Sequence, residues 1–318
     1  MKKLVLATAI AALSVTAAQA APTVYGKAFL TLDAVDGNDN SSFKDSRTQL
    51  NSNASRIGLK GSEALTANTD LVYKLEYRVD IDADTQQFKS RDTYLGLSNK
   101  TYGTLLAGRL TAIDDFVNYA NVTEGGVLGG DNVLASFDAP RANNTFAYVS
   151  PKYNGLTASA MYVLDENNAT DNLGRDAFGV AVQYEPEAAY RAGASYIQAG
   201  DTKAIRVSGS YDVTPAATVG ALYQNTAFPG ANTKKENAFT VSGTYKVAQT
   251  PWTAYGQVDV VDNVAGDKDE DLQRLVLGGK YAFNKQTTGH LYSAYLRNDD
   301  GHDTDNAYGI GGGLEYKF

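Results

Sequence analysis

Charged residues of both signs lie within one long segment near the middle of the chain and in the residues before it. The acids and arginines concerned are Asp114, Asp115, Glu124, Asp131, Asp138, Arg56, Arg91, Arg109 and Arg141, with Lys60, Lys74 and Arg78 behind the arginines. Opposite charges held across a narrow aqueous gap order water and sort ions. These residue types therefore predict electrostatic selection, and an ordinary solvated position is the alternative for each of them.

Residues for covalent or metal chemistry are scarce. The chain has no cysteine, which excludes a thiol nucleophile, a zinc–thiolate site and a disulfide. It has two histidines, His290 and His302, and His302 precedes Asp303. A hydrolase that uses either histidine is the enzymatic alternative, but no nucleophile elbow and no phosphate-binding glycine loop accompany them. We predict that the protein is not an enzyme and has no cofactor and no metal site.

The first 20 residues have the layout of a secretory signal peptide. Lys2 and Lys3 precede an apolar stretch, and Ala18-Gln19-Ala20 is a small-x-small cleavage site. The apolar stretch is shorter than the roughly 20 residues that a membrane-spanning helix requires. We predict cleavage after Ala20 and export of the mature chain, which then extends over residues 21–318.

The overall charge is negative. Asp and Glu number 36 against 28 Lys and Arg, for a formal net charge of −8. An acidic chain argues against a nucleic-acid partner, since such proteins present a basic surface. Net charge also suggests a weak preference for cations, although it counts residues far from any site.

Alternation of apolar and polar residues dominates the chain. In "DLVYKLEYRVD", residues 70–80, the apolar side chains share one face and the charged ones share the other. A period of two is the signature of a β-strand. Sixteen such segments are predicted, at 23–34, 52–61, 70–82, 90–98, 103–109, 144–151, 155–165, 175–185, 189–199, 203–212, 217–226, 237–247, 251–261, 272–283, 288–297 and 306–318.

The connections between these segments point to a closed sheet in a membrane. Short turns and long polar connections are expected to alternate strictly, which separates the two ends of one cylinder. An even number of strands in a closed antiparallel sheet leaves no unpaired edge in the lipid. The predicted fold class is an all-β transmembrane antiparallel β-barrel of about 16 strands. A soluble β-sandwich or lectin is the alternative.

Four motifs and the last residue carry a family resemblance. The motifs are "VYGKAFLTLD", "SRIGLKGSE", "RDTYLGLSNKTYGTLLAGR" and "RANNTFAYVSPKYNGLTASAMY", and the chain ends in Phe318. Together they resemble the general diffusion porins of the Gram-negative outer membrane, over the whole mature chain. The resemblance implies a sixteen-stranded barrel, usually a homotrimer, set in outer-membrane lipid and lipopolysaccharide. It implies passage of small hydrophilic solutes and ions, wall arginines at Arg56, Arg91 and Arg141, and Phe318 as an outer-membrane assembly signal.

The segment at residues 110–143 is the exception to the alternation, and in porins the corresponding loop folds inward and narrows the pore. Thr111 and Asp114 resemble a capping box. Apolar residues at helical spacing are expected to pack on the wall, and they are Ile113, Phe116, Val117 and Ala120. The same helix would turn Asp114, Asp115 and Asn118 toward water.

The wall arginines differ in how well alternation supports them. Arg56 and Lys60 share the polar face opposite Ile57 and Leu59. Arg91 instead shares parity with the apolar residues Leu95 and Leu97 of its strand, so an inward Arg91 needs either a bulge in the alternation or a shift in what the outer face contacts. A surface-binding role of the long outer loops, as an adhesin or phage receptor, is the functional alternative.

Overall fold

Seventeen β-strands of the described chain form one antiparallel sheet that closes on itself. In the computed structural model the described residues are 21–38, 45–83, 88–126, 128, 134–164, 177–230 and 233–318. The predicted signal peptide lies outside them. The strands are β1 Thr23–Gly37, β2 Arg47–Ser52, β3 Arg56–Ala64, β4 Thr69–Arg78, β5 Lys89–Asn99, β6 Gly103–Leu110, β7 Ala142–Val149, β8 Leu156–Val163, β9 Phe178–Tyr184, β10 Tyr190–Ala199, β11 Thr202–Thr214, β12 Ala217–Ala227, β13 Lys235–Lys246, β14 Trp252–Asp262, β15 Asp271–Ala282, β16 Thr287–Asp299 and β17 Thr304–Lys317.

Closure gives a barrel of sixteen staves. From β3 to β17 each strand pairs with the next one along the chain, and β1 pairs with β17 to close the ring. β2 and β3 both pair with β1, so they are two halves of one stave interrupted at residues 53–55. The sixteen-stranded antiparallel barrel is therefore confirmed. The first half of that stave, β2, falls outside the predicted segment 52–61.

Alternation sorts the side chains between the outer face and the lumen. On β11, Ile205 and Val207 are about half exposed on the outside, whereas Arg206 and Ser208 are buried inside. The outer face carries the apolar side chains that a lipid environment accepts, and the polar residues face inward. No helix among the described residues is long and apolar enough to cross a membrane.

One outward connection is much shorter than expected. β10 ends at Ala199 and β11 begins at Thr202, so only Gly200 and Asp201 separate them. Gly200 has φ +59°, the left-handed conformation that a tight hairpin turn needs. The prediction that short and long connections alternate strictly is thus wrong at this turn.

The apolar core lies inside the barrel, where the connection between β6 and β7 packs on the wall. One cluster joins Ile113 and Val117 of this connection to Ala147, Met161 and Ile197 of the wall. A second cluster joins Leu128 to side chains of β1, β14, β15, β16 and β17. Because these apolar positions face inward, the connection is held in the lumen.

Candidate functional site

The inward connection, residues 111–141, is hereafter called the inner loop. Its outbound limb follows the wall from β6 around to β16, and hydrogen bonds from its backbone amides to wall side chains hold it in place. The amides of Tyr119 and Val122 donate to Ser208 and Gln257, at 2.9 and 3.0 Å, and the amide of Gly126 donates to the hydroxyl of Tyr292 at 3.3 Å. These hydrogen bonds satisfy backbone groups that would otherwise be buried without partners.

The return limb lies against the strands that the outbound limb has passed. The Ser136 amide donates to Glu236 on β13 at 3.1 Å, and Gln224 on β12 donates to the carbonyl of Phe137. The two described limbs of the inner loop are thus attached to the lumen face of β9 to β16. The inner faces of β3, β4 and β5 lie across the remaining gap.

A buried arginine joins the two limbs. Arg206 on β11 donates to Asp138 Oδ1 at 2.8 Å and to the Asp114 carbonyl at 3.2 Å, and its Nη2 lies 3.4 Å from Asp114 Oδ2. Asp114 is 3 % exposed. Burial raises the pKa of Asp114 to about 6, with Arg206 opposing the rise and Asp138 adding to it. The prediction that Asp114 faces water is therefore wrong.

The helix in the inner loop is shorter than the sequence suggests. It is a 3₁₀-helix over Ile113–Phe116 that has no side-chain cap. Thr111 donates instead to Asp92 on the wall at 2.6 Å, so the capping box is not formed. Ile113, Val117 and Ala120 are buried as expected, but Phe116 is 43 % exposed. The chain leaves the helical conformation at Val117, and the helical spacing ends there.

Glu76 on β4 organises one half of the opposite wall. It accepts a hydrogen bond from Arg91 Nε at 2.6 Å and lies 3.4 Å from Lys74 Nζ and 3.8 Å from Arg56 Nε. Only 5 % of its side chain is exposed, whereas that of Arg56 is 29 % exposed. The carboxylate lies beneath its cations, so the cations face the gap.

Asp92 on β5 organises the other half. It accepts from Lys74 Nζ at 3.0 Å and from Arg141 Nε at 2.8 Å. Arg141 is the last residue of the inner loop, so this ion pair ties the end of the loop to the wall. Sequence reasoning missed both Glu76 and Asp92 as site residues, although alternation places Glu76 on the same face as Lys74.

A β-bulge brings Arg91 into this cluster. Leu75 pairs with Thr93 and Tyr77 with Ser90, so Arg91 and Asp92 both lie opposite Glu76. The extra residue reverses the parity of Arg91 relative to the outward leucines of β5. Of the two explanations that the sequence left open for an inward Arg91, the bulge is the one present.

Arg109 does not join the cluster. Alternation along β6 places it on the outward side with Leu105, which is 48 % exposed. Its Nε donates to the Ser90 carbonyl at 3.2 Å, and its Nη1 donates to Asn143. The prediction of Arg109 as a constriction residue is not supported by this position.

The remaining predicted charges separate into distinct places. Asp115 is exposed on the edge of the gap, and partial desolvation of its carboxyl beside the loop, together with the nearby charge of Asp138, raises its pKa. Glu124 pairs with Lys280 on β15 at 2.9 Å, a partner that the sequence did not reveal. Asp138 belongs to the Arg206 cluster, and Asp131 lies outside the described residues.

Between the inner loop and the basic wall lies a cavity of about 370 Å³. Its charged lining residues are Arg56, Lys74, Arg91 and Arg141 among the cations and Glu76, Asp92 and Asp115 among the acids. Four of the predicted site residues therefore meet at one place, and they are Arg56, Arg91, Asp115 and Arg141.

The C-terminal residue, Phe318, takes part in closing the barrel. The Gly26 amide donates to the Phe318 carbonyl at 2.9 Å, and the Phe318 amide donates to the Gly26 carbonyl at 3.1 Å. The ring of Phe318 covers Gly26, since a Cβ there would lie 2.3 Å from Phe318 Cζ. The role of Phe318 as an assembly signal stays a prediction.

Comparison with known proteins agrees with this architecture. A family model described as Gram-negative porin matches residues 6–301. The major outer membrane protein P.IB of Neisseria sicca is 25 % identical over the full length of both chains, and that of Neisseria gonorrhoeae is 25 % identical over 95 % of this chain and 96 % of its own.

Solved structures share the fold. An anion-selective porin from Comamonas acidovorans superposes with a TM-score of 0.74 at 21 % identity, covering 94 % of this chain and 99 % of the other. The trimer form of OmpT from Vibrio cholerae superposes with a TM-score of 0.68 at 20 % identity, covering 94 % and 100 % of the two chains.

Proposed function

The chain belongs to the Gram-negative porin family and is a diffusion channel of the outer membrane, and from this premise we propose where it selects its solutes. The selecting element is the gap between the inner loop and the inner wall of β3, β4 and β5. The observation that carries the proposal is the set of four cations around Glu76 and Asp92, which faces Asp115 across one cavity. Small hydrophilic solutes and ions pass this gap by size and charge.

The sign of the selectivity follows from how the charges are layered. The cavity has four cationic and three acidic side chains, and one of the acids, Glu76, lies beneath its cations with 5 % of its side chain exposed. A passing ion therefore meets positive charge first, which favours anions. This reverses the weak cation preference expected from net charge, because most acids lie far from the gap. The structural neighbour from Comamonas acidovorans is itself described as anion-selective.

Assembly and export complete the proposal. We propose a homotrimer in contact with outer-membrane lipid and lipopolysaccharide, supported by the trimer form of the OmpT neighbour. The first 20 residues act as a cleaved signal peptide, supported by their charge and apolar layout.

The test is the reversal potential of purified protein in a planar bilayer under a KCl gradient. Wild type is expected to show the sign of anion preference. Arg91→Gln and Arg141→Gln should each move the potential toward cations, and Asp115→Asn should move it further toward anions. Arg109→Gln is the matched control, because the same charge is removed outside the gap.

Two results would contradict the proposal. If Arg109→Gln moves the reversal potential as far as Arg91→Gln or Arg141→Gln does, the selecting charges lie outside this cavity. A wild-type potential of cation sign that Arg91→Gln leaves unchanged would separate the basic wall from selection altogether.

A further inference from the structure

An aromatic side chain stands in the solute path. Phe116 is 43 % exposed, although it lies between the buried residues Ile113 and Val117 of the inner loop. It lines the same cavity as the charged cluster. An apolar ring left in contact with water is unfavourable, by about 25 cal/mol for each Å². The ring is therefore available to contact an apolar part of a solute.

The rest of the cavity combines apolar and cationic lining. Leu106 and Met161 belong to the apolar cluster that packs on the inner loop, and Lys74 and Arg141 provide the cations. Tyr94 pairs directly with Lys74 across β4 and β5, so it adjoins that cation. Small-molecule sites have volumes of roughly 300–1,000 Å³ and combine apolar walls with a few charged groups. The volume of about 370 Å³ lies within this range.

We propose that this cavity is a binding site for small monocarboxylates that carry one apolar ring. The ring of the ligand packs on Phe116. Its carboxylate approaches Lys74 and Arg141, whose ammonium and guanidinium groups respectively donate hydrogen bonds to it. The inference rests on the proposed function, because it requires the cavity to lie in the solute path. It assigns to the constriction a preference for amphipathic anions over anions of equal charge without a ring.

The experiment measures how organic anions reduce the chloride current through reconstituted channels. Benzoate and acetate carry the same charge and differ by the ring. Benzoate should halve the wild-type current at a concentration about tenfold lower than acetate, since covering about 50 Å² of apolar surface gives roughly that factor.

Substitutions locate the effect. In Phe116→Ala the concentrations of benzoate and acetate that halve the current should become nearly equal, while the channel still conducts KCl. Phe116→Leu should keep most of the tenfold difference. The matched control is Phe146→Ala, since Phe146 on β7 is 45 % exposed but faces outward, and this variant should retain the tenfold ratio.

The outcomes separate the inference from its premise. Equal potency of benzoate and acetate on an anion-selective wild type would overturn the inference and leave the proposed function standing. A full ratio in Phe116→Ala would also overturn it, because the ring would not be the contact. A wild type without anion selectivity, or without current, would overturn the proposed function and the inference together.

Discussion

Replacing Arg206 by Met should release the inner loop from the wall. Arg206 is 1 % exposed, and it is the cation that both Asp114 on the outbound limb and Asp138 on the return limb contact. Met has a similar length and no charge, so the substitution strands two carboxylates while changing little volume.

The size of the effect follows from this burial. Removing one partner of a buried ion pair costs about 3–5 kcal/mol, because the remaining charge is left without compensation. A cost of about 3 kcal/mol changes the ratio of docked to undocked loop by roughly a hundredfold. Other contacts hold the loop further along, including Glu124 with Lys280, so release should begin around the two aspartates.

Single-channel recording and limited proteolysis read this out. The Arg206→Met channel should show a larger and noisier unitary conductance, and protease should cut within residues 111–141 faster than in wild type. The matched control is Arg191→Met on β10, whose pair with Asp212 is exposed at 2.9 Å and is worth at most about 1 kcal/mol. It should behave as wild type.

A rescue variant isolates the cause. Combining Arg206→Met with Asp114→Asn and Asp138→Asn removes every charge of the cluster and should restore most of the docking. If Arg206→Met conducts and resists protease like wild type, the buried charges do not hold the loop and the reasoning fails. Failure of the triple variant to recover would attribute the effect to lost packing instead.

Three further predictions concern pH, the loop tip and barrel closure. Burial raises the pKa of Asp114 from 3.8 to about 6, so the docked loop favours the protonated acid. Docking of the inner loop is therefore strongest below about pH 4, and it weakens by about 3 kcal/mol as the pH rises to 6. Current noise should therefore grow from pH 4 to 7 in wild type and stay flat in Asp114→Asn, and the opposite trend would contradict the buried position. Gly125→Ala should raise conductance, because Gly125 has φ +104° and a Cβ there would lie 2.3 Å from Tyr292 Cζ; unchanged conductance would show that the tip tolerates a side chain. Deleting Phe318 removes two backbone hydrogen bonds to Gly26 and should lower the amount of folded protein in the outer membrane by several-fold, measured by quantitative blotting of membrane fractions, and an unchanged amount would exclude a role in assembly.

Much of the fold could be predicted because a strand carries its own signal. The period of two in residues 70–80 requires no distant partner, and the predicted segment 70–82 begins within one residue of β4 and extends four residues past its end at Arg78. The segment 52–61 was less well placed, because the interruption at residues 53–55 hides β2, whose place in the sheet depends on pairing with β1. The two-residue turn at Gly200 is close to the three residues left between the predicted segments 189–199 and 203–212, and only the rule of strictly alternating connections failed there.

The charged site could be predicted only in part. Arg56, Arg91 and Arg141 meet at one cavity as the family resemblance implied, but Arg109 faces outward. Parity fixes which side of a regular strand a residue faces, and it fails wherever a bulge adds a residue, as it does at Arg91. The exposure of Phe116 was missed for the related reason that the helical spacing ends after one turn.

Local sequence was enough to predict most of the strands, the faces of the regular ones and the length of the inward segment, because each of these depends on residues adjacent along the chain. Which charges meet depends instead on how the strands and the loop pack in three dimensions. Asp114 and Arg206 are 92 residues apart in sequence, and only closure of the barrel brings them together. Asp114 and Asp115 are neighbours of identical chemistry, yet one is buried with an arginine and the other faces the gap. That division follows from the wall against which the loop packs, which the local sequence does not encode.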